Sequence, residues 1–169
     1  MTTQQLPANT PSWTRVHAET ATMRTVIPAL DAGLPLTQAA SAARTSPFTG
    51  RDEVLLALHG VWSRRLHGRI DVALETDDRD LAECVRRAWV ATADDLPGVR
   101  RALDEHAHEP VLRHVLRHEH RAVAVAAGLA TFDDHAETSA AAGVRLVEAA
   151  RALPSVPAAR RSWWRRLAR

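Results

Sequence analysis

Residues 51–75 read RDEVLLALHGVWSRRLHGRIDVALE. Apolar side chains recur every three or four positions, and Leu55, Leu58, Trp62, Leu66, Ile70 and Ala73 fall on one stripe at helical spacing. A neighbouring stripe of the same segment, Leu55, His59, Trp62, Leu66, Arg69 and Ala73, has 4-3-4-3-4 spacing and sets two polar side chains, His59 and Arg69, among apolar neighbours. A helix is therefore expected from Arg51 to Glu75, with one face in a core that must accommodate an imidazole and a guanidinium.

The same period extends in both directions, and no segment alternates convincingly like a strand. Upstream, Trp13, Val16, Thr20, Met23, Ile27, Leu30 and Leu34 are spaced 3-4-3-4-3-4, with Pro28 expected to kink the helix and Gly33 and Pro35 to end it. Residues 36–44 form a short alanine-rich helix, closed by the breaker run of residues 45–50, TSPFTG. Downstream, Asp78 is placed to cap a helix carrying Leu81, Val85, Ala88, Trp89 and Thr92, and Asp95 to cap a short one with Pro97 in its first turn. Pro110 opens the next helix and Gly128 falls near its end. Thr131 followed by Asp134 resembles a capping box for the last, whose side of Ala136, Ser139, Ala140 and Gly143 suits ordinary close packing. The expected fold is all-α: a single-domain helical bundle of about five to six helices over residues 11–153, between a disordered N-terminus, 1–10, and a flexible basic C-terminal tail, 154–169.

Composition narrows the function classes. The chain has 169 residues, enough to bury a core without staples. Arginine replaces lysine throughout and tyrosine is absent, a bias that fits a GC-rich genome better than selection at each site. The lone Cys84 excludes a disulfide framework and a cysteine-based zinc site and reads as a small core residue. No signal peptide and no apolar run of membrane-spanning length is visible, so a cytoplasmic protein is expected. No phosphate loop, nucleophile elbow or zinc-protease motif occurs, which favours a non-enzymatic reading.

One helix carries a candidate site. Five of the nine histidines, His106, His108, His114, His118 and His120, lie within fifteen residues. At helical spacing Glu119 projects from the middle of a face made by Val111, Val115, Ala122, Ala126 and Leu129 with Leu112, Leu116 and Val123, with His118 at its border and His114 one turn earlier. A carboxylate on a core face is costly unless it is paired or coordinated. The leading expectation is a structural ion pair between Glu119 and Arg69. One alternative is a metal or proton-transfer site of Glu119, His118, His114 and His59, suited to iron, manganese or zinc, since bundle interiors position such ligands from facing helices; the other is a helix rotated so that Glu119 faces solvent. Glu105 and His108 also form an E-x-x-H pair that resembles the spacing of ferritin-like di-metal proteins, although no second such pair occurs.

The tail, PSVPAARRSWWRRLAR, holds five arginines, two tryptophans and no acid, whereas the preceding 153 residues hold 17 arginines against 20 acids. If Ala158–Arg169 becomes helical, Trp163, Trp164, Leu167 and Ala168 span an arc of about 140° and Arg161, Arg165, Arg166 and Arg169 lie outside it. Arg160, Arg161, Trp163, Trp164, Arg165, Arg166, Leu167 and Arg169 are thus the expected docking residues for an acidic protein groove or, peripherally, an anionic membrane surface. Nucleic acid is disfavoured by the acidic body, and a homo-oligomer would strengthen docking through avidity.

Residues 37–58, TQAASAARTSPFTGRDEVLLAL, resemble the DNA-binding end of the TetR repressors. Thr37 to Ala43 look like the first helix of their helix-turn-helix, and Phe48, Arg51-Asp52-Glu53 and Leu55-Leu56 look like the entry to their long fourth helix. Only Ser46 and Pro47 separate the turn from Phe48, which leaves no room for the recognition helix. The resemblance implies a ligand-responsive regulator of degenerate architecture. The principal expectation is a small adaptor or regulatory module docking through its tail, with the metal-binding bundle and this regulator as alternatives.

Overall fold

The stripe of residues 51–75 becomes the longest helix of the computed structural model, which describes residues 13–43, 46–76 and 80–153. Within them lie seven helices and no strand: α1 (Trp13–Asp31), α2 (Leu36–Ser41), α3 (Arg51–Thr76), α4 (Leu81–Asp95), α5 (Pro97–Glu105), α6 (Pro110–Ala126) and α7 (Ala136–Arg151). The expected all-α single-domain bundle is what forms, with the short α2 included in the larger helix count. The tail residues Arg160–Arg169, the expected disordered residues 1–10 and the expected cap Asp78 lie outside the described residues.

Helix α3 lies against α4, α5 and α6, while α6 and α7 pack along each other and α1 lies on α5 and α2. Leu55, Leu58, Trp62, Leu66 and Ile70 are all buried, as their spacing requires. No helix is long and apolar enough to cross a membrane among the described residues.

Helix α1 departs from expectation. Of its core residues Thr22, Met23, Val26 and Leu30, Met23 and Leu30 belong to the expected stripe, whereas Thr22 and Val26 lie to one side of it. Ile27 is only partly buried, and Trp13 and Val16 are exposed, Trp13 at 79%. The first turns of α1 face α3 across an open groove, where Val16 and Thr20 stand opposite Ala57, Gly60 and Val61, and Arg15 reaches Glu53 at 3.7 Å. The helix continues through Pro28 and ends at Gly33 (φ 93°), where Gly33 N–H donates to Leu30 and Leu34 N–H to Ala29. Gly128 (φ 68°) closes α6 with the same paired bonds, to Val125 and Ala124. Both ends are Schellman motifs, whose left-handed residue glycine adopts without a Cβ penalty.

Three capping expectations are corrected. The N-cap of α4 is Asp80, whose carboxylate accepts from Glu83 N–H at 2.9 Å. Asp95 does not cap α5; that position is Leu96, and the Asp95 carboxylate turns to Arg65 and Arg69 instead. Thr131 and Asp134 bond to each other within the loop, and the residue preceding α7 is His135. In each case a polar side chain near a helix end found a competing partner or a slightly later helix start.

Candidate functional site

Glu119 is buried, 4% exposed, at the junction of α3, α5 and α6. Helix α6 inserts it because Leu112, Leu116 and Val123, one and two turns away, are core residues that fix the rotation of the helix. Its carboxylate is held from three sides. His59 Nε2 lies 2.9 Å from Oε2. Trp62 Nε1 donates to Oε1 at 3.0 Å. The Arg100 guanidinium approaches Oε1 at 3.9 Å. An ionised carboxylate only accepts, so the His59 tautomer consistent with this contact carries its proton on Nε2.

Burial alone would raise the Glu119 pKa. The His59 hydrogen bond, the Arg100 charge and the Trp62 N–H together outweigh it and hold the carboxyl below its ordinary value of 4.5. Arg100 is buried as well, 8% exposed; its guanidinium stacks over the Trp62 ring at 4.7 Å and donates to Asp104 at 2.8 Å. Asp104 accepts a bidentate pair from Arg151 at 2.6 and 3.1 Å, and Arg151 lies over Trp89, 5.3 Å from its ring centre. Trp62 and Trp89 meet edge to face at 5.6 Å. A chain of alternating charges backed by two indoles thus runs from Glu119 through Arg100 and Asp104 to Arg151.

The expected Glu119–Arg69 pair does not form. Arg69 bonds Asp95, and the reason is distance along the helix. Arg69 follows His59 by ten residues, roughly 15 Å of helical rise, and His59 is the one level with Glu119. The sequence reading missed Arg100, yet its signal was present: Leu96, Arg100 and Leu103 have the same 4-3 spacing that marked His59 and Arg69 as polar residues on an apolar stripe.

The four residues proposed as metal ligands separate into two places. Glu119 and His59 meet in the core. His114 and His118 lie outside on α6, their rings 4.5 Å apart, in a cleft with Arg117, Arg121, Ala136 and Glu137. No three His, Cys, Asp or Glu side chains converge as a metal site among the described residues. Cys84 is buried, 3% exposed, as a core residue. His120 is half-buried; burial holds it below its ordinary 6.5, aided by the Arg100 and Arg151 charges and opposed by Glu119. What the Glu119 centre can do chemically is tie three helices together and keep one carboxylate ionised. Comparison with protein-family models, curated proteins and solved structures finds no match.

Proposed function

We propose that this chain is a non-enzymatic adaptor whose helical body carries a C-terminal docking segment, with an anionic membrane surface as its target. The observation that carries this reading is the segregation of charge: five arginines and two adjacent tryptophans without an acid in residues 154–169, behind a body of 17 arginines and 20 acids. Arginines supply attraction to acidic headgroups, and tryptophan and leucine supply an apolar face for the interface. The Glu119 centre supports a structural role for the body, because its carboxylate is already satisfied by His59, Trp62 and Arg100. The body would act as a cytoplasmic carrier that presents the segment.

Vesicle co-sedimentation tests this. The full chain should bind phosphatidylserine vesicles, weaken steeply with added salt, and lose binding when Trp163 and Trp164 are both replaced by Ala or when residues 154–169 are removed. Equal binding by the truncated chain overturns the tail assignment. An acidic protein groove becomes the target if vesicles fail to bind while truncation still abolishes partner capture.

A further inference from the structure

His114 and His118 invite a metal reading by their spacing, one helical turn apart on the same face. Their surroundings argue otherwise. Arg117 and Arg121 form the adjoining i, i+4 row of the helix, and all four side chains line one cleft of about 130 Å³ between α6 and the start of α7. Two guanidiniums that stay charged at any physiological pH repel a metal cation. The same guanidiniums, with imidazole N–H groups beside them, match the oxygens of a phosphate.

We propose that this α6–α7 cleft binds a phosphate-class oxyanion, with Arg117 and Arg121 as charged forks and His114 and His118 as N–H donors. The cleft already holds one acid in that manner. Glu137, from the facing wall, pairs with Arg117 at 3.2 Å, with the two side chains 65% and 54% exposed. Such an exposed pair is weak and readily displaced, so Glu137 competes with the ligand for Arg117. Arg121 is half-buried and donates to the Phe132 carbonyl at 2.7 Å, which fixes it at the end of the row. None of the residues that line the cleft belongs to the C-terminal segment.

The five tail arginines would also attract phosphate, so the readout must be local. In the full chain, the ring resonances of His114 and His118 are followed by NMR during titration with inorganic phosphate, with the other histidines as internal controls. Saturable shifts confined to these two rings are expected, about tenfold weaker in Arg117→Gln. Glu137→Gln should bind about threefold tighter, since it releases Arg117 and removes a repelling charge. A parallel titration with phosphatidylcholine vesicles, with and without phosphatidic acid, separates the sources. Response to inorganic phosphate assigns a free oxyanion. Response only to phosphatidic acid, lost in Arg117→Gln, assigns a lipid headgroup. The proposal is overturned if neither ligand shifts these rings, if Glu137→Gln weakens binding, or if Zn²⁺ shifts them and phosphate does not.

Discussion

Glu119 and His120 are adjacent in sequence and both respond to acid in a way that weakens the fold. For each, the folded protein resists the proton more than the unfolded chain does. Their contributions are therefore complete above the ordinary values and lost as pH falls through the depressed ones. Stability should begin to decline as pH drops below 6.5, from His120, and decline further below 4.5, from Glu119. Urea unfolding across that range checks it: His120→Gln should flatten the upper limb and Glu119→Gln the lower. At neutral pH, Glu119→Gln keeps an acceptor for Trp62 but removes the charge that faces the buried Arg100. A loss of about 2 kcal/mol is expected, and an unchanged urea midpoint would mean that Asp104 alone suffices for Arg100. Position 119 was legible in the sequence because apolar residues surround it at helical spacing. Its partners were only half legible: His59 was named, but so was Arg69, and Arg100 was missed, because periodicity reports which face a residue occupies and not which helix it meets.

At the scale of elements, the closest approach lies between α6 and α7. A Cβ on Gly143 would collide with the His120 carbonyl, which is backbone and cannot swing aside. Gly143→Ala should force the two helices apart and cost roughly 3 kcal/mol in thermal or denaturant unfolding. It would also move His120 and the Arg151 end of the charge chain. A tolerated alanine would show that α7 can slide at little cost. The stripe of Ser139, Ala140 and Gly143 was readable as a close-packing face, but only the structure assigns its contact to the backbone of α6. At the start of α4, Asp80→Ala removes the bond to Glu83 N–H and should cost about 1 kcal/mol. That cap was misplaced in the sequence reading, because acids and arginine crowd residues 77–80 and local spacing cannot choose among neighbouring starts.

For the molecule as a whole, the body and the C-terminal segment carry opposite charge. Removing residues 154–169 changes the formal net charge from +2 to −3. The truncated chain should pass from cation-exchange to anion-exchange retention near neutral pH, while its thermal unfolding stays nearly unchanged, because the described residues before position 154 already bury a continuous apolar core among themselves. A large drop in unfolding temperature would instead mean that the segment packs on the body. The sequence by itself determined the all-α class, most helix boundaries, the α3 core face and the place of Glu119 among apolar neighbours on α6, because each follows from local spacing, from proline and glycine stereochemistry, or from the cost of exposing an apolar stripe. Only the tertiary structure decided that Arg100 and Trp62 complete the Glu119 centre, that Arg69 belongs to Asp95, that His114 and His118 look outward beside two arginines, and that the first turns of α1 stay uncovered. Those outcomes depend on how far along its axis each helix stands beside its neighbours, a length that no single helix's periodicity encodes.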